Sequence, residues 1–146
     1  MVKEIIKICI NMTVDEIQDI IDYAYPKIKK YYGKGKLDYP KVELHRDIYA
    51  RLSGDPEAEG EASKSSKAEF DVDRAIETGE AYIYIYYPNV KDEEDLLRSL
   101  VHEYTHYLQD LTKFKEFRRK HSYDTDPYEI EARNAEKDYS LFLQNG

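Results

Sequence analysis

The stretch of residues 92–111 constrains the fold of this chain more than any other. Its apolar residues recur at intervals of three and four, the spacing of one face of an α-helix. At about 100° per residue, seven of them fall on a single arc. They are Leu96, Leu97, Leu100, Val101, Tyr104, Leu108 and Leu111. The sequence therefore predicts one long helix over residues 92–111, with this arc packed on the core.

Two histidines lie on the other side of the predicted helix. His102 and His106 are four residues apart, so both project from the same side, away from the apolar arc. A histidine that only filled the core would lie within the arc. Two imidazoles at this spacing can bind one divalent metal, and Glu103 between them can act as general base on a metal-bound water. The pattern predicts a metal centre with Glu103 as its catalytic residue.

Two histidines bind zinc too weakly alone, so a third protein ligand is expected downstream. Glu129 and Glu131 lie on a predicted C-terminal helix that Asp126 caps. Glu129 falls three residues after that cap, so a capping box explains it without a metal. Glu131 has no such structural role and is the favoured ligand. His121 is ranked last, because residues 118–120 beside it are basic and repel a cation.

This arrangement resembles the gluzincin branch of the zincin metallopeptidases. The motif His102-Glu103-Tyr104-Thr105-His106 is followed 25 residues later by Glu131-Ala132, and in that family a glutamate on the next helix completes the site. The resemblance covers residues 81–142. It implies a zincin-like fold in a minimal single-domain form, with one Zn²⁺ per chain held by His102, His106 and Glu131. It also implies Glu103 as the base.

The chain departs from that family at one position. Several gluzincins carry an aspartate four residues after the ligand glutamate, where it orients the first histidine. Here that position is Ala135, and Asn134 and Asp138 on the same predicted face are the substitutes. A donor for the developing oxyanion is also required, and three downstream side chains are candidates. These are His121, Tyr123 and Tyr128.

The remaining segments predict a small α+β domain over residues 1–146. Strands are predicted over residues 2–10, 41–44, 48–52 and 69–72, with a mobile loop over 53–67. Thr13 and Glu16 form a predicted capping box at the start of an N-terminal helix that ends near Gly33, and Pro26 is expected to kink this helix or to end its regular part. The sheet is expected to be mainly antiparallel or mixed, with three to five strands packed against helices.

The clearest predicted strand is residues 81–87. Its alternation places Ile83 and Ile85 on the core face and three tyrosines on a wetter face. These are Tyr82, Tyr84 and Tyr86. Because the strand precedes the motif helix by a short turn, it is expected to align an extended peptide by backbone pairing.

Charge and cysteine content narrow the class of protein. A net charge of −8 argues against a broad nucleic-acid surface and against anionic membranes. The single cysteine, Cys9, forms no internal disulfide, and the first twelve residues are too charged for a secretory signal. These features favour a soluble cytoplasmic protein.

The expected activity is that of a zinc metalloendopeptidase acting on a peptide or protein substrate. A chain this small either needs a partner protein to complete its cleft or cuts one dedicated protein. The alternative is a non-catalytic metal-binding or interaction protein with the same fold. A structural zinc site usually has four protein ligands, often cysteines, and Cys9 alone does not favour it.

Overall fold

The structure is a computed structural model that describes residues 12–54 and 66–144. Its sheet contains β1 (Lys41–His45), β2 (Ala68–Phe70) and β3 (Tyr82–Tyr86) in the order β1-β3-β2. The central strand β3 pairs parallel with β1 and antiparallel with β2. The α+β class and the mixed sheet predicted from the sequence are confirmed.

Six α-helices surround this sheet in the part of the chain that the structure describes. They are α1 (Val14–Tyr32), α2 (Ile48–Ser53), α3 (Val72–Thr78), α4 (Glu93–Leu108), α5 (Leu111–Lys120) and α6 (Pro127–Ala135). Short 3₁₀ segments, η1 (Tyr87–Asn89) and η2 (Glu136–Phe142), follow β3 and α6. None of the described helices is long and apolar enough to cross a membrane. The strand predicted over residues 2–10, and residues 55–65 of the predicted loop, lie outside the described residues.

The motif helix α4 lies at the centre of the fold, in contact with the sheet, α1, α6 and η2. Five of its predicted core residues are fully buried: Leu96, Leu97, Leu100, Val101 and Tyr104. The helix ends at Leu108, which is 37% exposed, so the prediction of one helix to residue 111 is wrong. The break has a local cause, because the Asp110 side chain accepts the Lys113 N–H at 3.0 Å and caps a new helix, α5.

The N-terminal helix α1 follows the prediction closely. Thr13 and Glu16 form the capping box, and Pro26 lies inside the helix without ending it. Its buried face packs on the same core as α4: Ile17, Ile20, Ile21, Ala24 and Ile28. Two tyrosines of α4 then fasten the segment after α1, since Tyr104 and Tyr107 donate to the carbonyls of Gly33 and Leu37.

Helix caps overrode strand propensity at two places. Residues 48–52, predicted as a strand, form α2, because Asp47 accepts the Ala50 N–H at 2.8 Å and Gly54 ends the helix at φ +74°. Residues 69–72 were predicted as a strand, but β2 ends at Phe70. Asp71 caps α3, a helix that the sequence pattern did not predict.

The tyrosine face of β3 is buried rather than wet, which corrects the expectation for that face. Tyr82, Tyr84 and Tyr86 are 7%, 2% and 0% exposed. Arg51 of α2 covers the Tyr84 ring at 4.2 Å, and Arg74 of α3 covers the Tyr82 ring at 3.7 Å. The guanidinium groups thus cover this face of the sheet, while Ile83 and Ile85 pack in the main core as predicted.

Candidate metal centre

Three side chains from α4 and α6 converge on one point. Nε2 of His102 and Nε2 of His106 each lie 3.0 Å from Oε1 of Glu129. One ligand atom from each residue lies within 4.8 Å of the others, and the group could hold a metal ion. His102 and His106 are 8% and 2% exposed. The two buried imidazoles project from the side of α4 opposite its apolar arc, as predicted, and point towards α6.

The structure places Glu129, and not the predicted ligand Glu131, beside the two histidines. Glu131 is exposed, and its Oε1 accepts a hydrogen bond from Gln109 at 2.8 Å. Asp126 caps α6 through the Tyr128 N–H at 2.9 Å, so the cap does not require Glu129. The Glu129 carboxylate is therefore available to the histidines.

Helix phase explains why Glu129 faces α4. Ala132 is fully buried and lies three residues after Glu129, while Glu136 lies seven residues after it. Positions i, i+3 and i+7 share one side of a helix. The small Ala132 side chain lets the two helices approach, and that approach brings both glutamates to the histidines. The small residue three positions after Glu129 was the signal in the sequence that favours this side of α6.

Gln109, the residue after α4, fixes the tautomer of His106. Its side-chain Nε2 donates to the Tyr128 carbonyl at 3.0 Å and to Glu131 at 2.8 Å. The amide oxygen Oε1 therefore faces Nδ1 of His106, at 2.7 Å. Because an amide oxygen only accepts, Nδ1 carries a proton, which leaves Nε2 as the ring atom that faces Glu129.

Glu136 holds His102 in the same way. Its Oε2 lies 2.8 Å from Nδ1 of His102, the arrangement by which a carboxylate orients a metal-binding imidazole. The predicted substitutes for this role were wrong. Asn134 is exposed, and Asp138 instead accepts the Tyr32 hydroxyl at 2.6 Å.

Without a metal, a proton lies between the ligand atoms of His102, His106 and Glu129. Burial lowers the pKa of His102, but hydrogen bonds to Glu129 and Glu136 outweigh burial and raise this pKa from 6.5 to about 10. Burial raises the pKa of Glu129, yet bonds from both histidines outweigh it and lower this pKa to about 2. At neutral pH the group thus holds a cation in the form of a protonated His102.

Glu103 reaches from α4 to the edge of the sheet. Its Oε1 accepts the backbone N–H of Phe70 at 2.9 Å. Burial raises the pKa of the Glu103 carboxyl, and the neighbouring His102 and His106 only partly offset this effect. A carboxylate with a raised pKa is a stronger proton acceptor, which suits general-base chemistry at neutral pH.

A cleft of about 460 Å³ opens over these residues. Besides the three convergent side chains and Glu103, its walls include Phe70, Phe114, Arg118, His121 and Tyr123. Two of the three predicted oxyanion donors, His121 and Tyr123, therefore line the cleft. The third, Tyr128, packs its ring against Phe117 at 5.0 Å and is not part of the wall.

The edge strand β2 presents backbone groups to this cleft. Lys67 and Asp71 form backbone bonds to β3, so in an antiparallel ladder the N–H and C=O groups of Ala68 and Phe70 point the other way. The bond from Phe70 to Glu103 fits this alternation. The strand predicted to align a peptide, β3, is paired on both sides and has no free edge. Among the described strands, its neighbour β2 lies at an edge of the sheet.

Comparisons of the chain with protein-family models, with curated proteins and with solved structures gave no match. The class of protein is therefore defined by the fold and the site themselves. These are a small α+β domain and a buried His-His-Glu group beside a buried glutamate.

Proposed function

We propose that the protein is a zinc-dependent metallopeptidase of the gluzincin type. In this proposal His102, His106 and Glu129 hold one Zn²⁺, and Glu103 is the general base. The observation that supports it is the convergence of three atoms that can bind a metal, one each from His102, His106 and Glu129. They lie beside a second carboxylate, that of Glu103.

The distances support zinc as the ion. In a tetrahedral site with bonds of about 2.1 Å, ligand atoms lie roughly 3.3 Å apart, close to the 3.0 Å between each Nε2 and Oε1 of Glu129. Two imidazoles and one carboxylate are donors that zinc prefers. Three protein ligands leave a fourth position for water, as in catalytic rather than structural zinc sites.

The residues of the cleft then have separate roles in hydrolysis. Zinc, when bound, lowers the pKa of a water molecule and polarises the substrate carbonyl. Glu103 accepts the proton of the attacking water and passes it to the leaving amine. The outward backbone N–H and C=O of Ala68 and the C=O of Phe70 bind the peptide as an added strand, while the Phe70 N–H stays bonded to Glu103. His121 and Tyr123 are the donors available to the developing oxyanion.

The test is to replace Glu103 by Gln and assay a quenched fluorescent peptide library. The zinc-loaded wild type is expected to cleave members of the library, and chelation is expected to stop it. Glu103→Gln keeps all three ligands, so it should bind about one zinc while its rate falls by roughly 10²- to 10⁴-fold. Equal cleavage by both proteins contradicts the mechanism. Zinc binding without cleavage by either supports the non-catalytic alternative.

A further inference from the structure

The acidic side chains of the cleft all have partners. Glu69 is held by Arg51 at 3.2 Å, and Asp126 accepts the N–H two residues further on at 2.9 Å. Glu103 and Glu129 are bonded to the edge strand and to the histidines. Each carboxylate that lines the cleft is therefore bonded to another group of the protein.

Arg118 is the exception among the charged lining residues. It is exposed in the last turn of α5, and it forms no ion pair with a carboxylate in residues 12–54 or 66–144. Asp73, whose pKa it helps to lower, is bonded to Lys115 at 2.8 Å. The Arg118 guanidinium instead lies over the Phe114 ring, 5.8 Å from its centroid. One positive charge thus faces the cleft without a described counter-ion.

The position of Arg118 relates it to the metal group. The Phe114 ring packs edge-on against the His106 ring, with 4.6 Å between centroids. The distance from the Arg118 guanidinium carbon to the centroid of the His106 ring is therefore at most the sum of these two distances, 5.8 Å and 4.6 Å. An extended peptide covers that span in about three residues at roughly 3.4 Å each.

His121 adds a second donor to the same wall. It follows Arg118 by three residues and also lines the cleft, with its ring packed against Phe117 at 5.9 Å. Its imidazole forms no hydrogen bond with the rest of the described chain. A planar guanidinium and a ring N–H on one wall match the two oxygens of a carboxylate.

We propose that Arg118, assisted by His121, binds a carboxylate of the peptide substrate within about three residues of the bond that is cut. This subsite rests on the proposed peptidase function and specifies its substrates as acidic peptides. The carboxylate belongs either to an aspartate or glutamate side chain or to the peptide C-terminus. Local contact is needed because the net charge of −8 repels such peptides at long range, an effect that salt screens beyond about 10 Å.

A binding experiment tests the subsite independently of catalysis. The zinc-loaded Glu103→Gln protein is titrated with alanine–leucine heptapeptides that carry one Glu or one Gln at each position in turn. Each peptide is made with a free or an amidated C-terminus, so that the two sources of carboxylate are separated. We expect one position of Glu, or the free C-terminus, to strengthen binding about tenfold over its neutral match.

Arg118→Ala is expected to abolish that preference, so that acidic and neutral peptides bind this variant equally. Arg119→Ala removes the same charge from the adjacent position, which does not line the cleft, and should keep the preference. Equal binding of acidic and neutral peptides, or a preference that survives Arg118→Ala, overturns the subsite. If the wild type cleaves no peptide but the binding preference is observed, only the peptidase function is overturned.

Discussion

Two polar clusters lie in this small domain, and they differ in their balance of donors and acceptors. In the tyrosine cluster, on one face of the sheet, Tyr84 donates to Asp71 at 2.6 Å and Tyr86 to Glu69 at 2.7 Å. Arg51 supplies the positive charge, 3.2 Å from Glu69. Every acceptor there meets a donor that the protein provides, so the cluster is complete.

The histidine cluster is incomplete by the same measure. Gln109 and Glu136 take the Nδ1 protons of the two rings, and Glu129 adds a carboxylate to the two remaining ring nitrogens. Three ligand atoms then face one another, and only an added proton on His102 bridges them. The comparison shows that a buried polar cluster points to a ligand when a removable proton holds it together, and not merely because it is polar.

The largest expected effect is the pH dependence of zinc binding. His102 has a pKa of about 10 in the metal-free protein, so zinc must displace its proton at neutral pH. Zinc affinity should rise about tenfold per pH unit from pH 7 to 9. Calorimetry in buffers of different ionisation enthalpy should count about one proton released per zinc.

Two further results sharpen this prediction. Glu136→Gln removes one of the two carboxylates that form hydrogen bonds with His102 and raise its pKa, so the rise in affinity with pH should level off earlier. In chelator, the pKa of His102 in the folded protein lies above the 6.5 of an ordinary histidine, so the proton on His102 stabilises the fold fully below pH 6.5. This stabilisation is lost as the pH rises towards 10. Zinc affinity that does not change with pH contradicts the account.

Removing the Gln109 amide should have the next largest effect. Gln109→Ala releases the His106 ring and loosens α6, so zinc affinity should fall roughly 10- to 100-fold. Thr112→Ala, an exposed change at the start of α5, is the control and should leave affinity unchanged. Competition with a chromophoric chelator measures both. Equal affinities in Gln109→Ala and wild type would show that the ring needs no such support.

The smallest expected effect lies in the tyrosine cluster. Tyr86→Phe leaves Glu69 without one of its donors, so the free energy of unfolding should fall by about 1.5 kcal/mol. Tyr82→Phe is the matched control, because its hydroxyl lies 3.4 Å from Glu80, and it should cost less than about 0.5 kcal/mol. Urea unfolding in the presence of chelator measures both. Zinc affinity should be unchanged in either variant, and a loss of zinc on Tyr86→Phe would mean that the two clusters are coupled.

Local signals in the sequence predicted much of this fold. Three such signals are the capping box of Thr13 and Glu16, the apolar arc of α4 and the Asp126 cap of α6. Each depends on residues close together in the sequence, so it can be predicted without knowledge of tertiary contacts. The strand predicted over residues 48–52 failed because Asp47 and Gly54 outweighed β-propensity.

The candidate site was predictable only in part, for a different reason. His102, Glu103 and His106 share one helix, and their spacing alone brings them together. The choice between Glu129 and Glu131 depends on which side of α6 meets α4, and that is set by close packing at Ala132. Glu136 and Gln109 come from the ends of their elements, where no motif marks them.

The measurement that tests the central claim most directly is the zinc content of Glu129→Gln beside Glu131→Gln. Both changes remove one negative charge from α6, but only the first removes an atom of the convergent group. After dialysis against limiting free zinc, elemental analysis should find about one zinc per chain in the wild type and in Glu131→Gln, and almost none in Glu129→Gln. The opposite pattern, or equal zinc in both variants, would contradict the site described here.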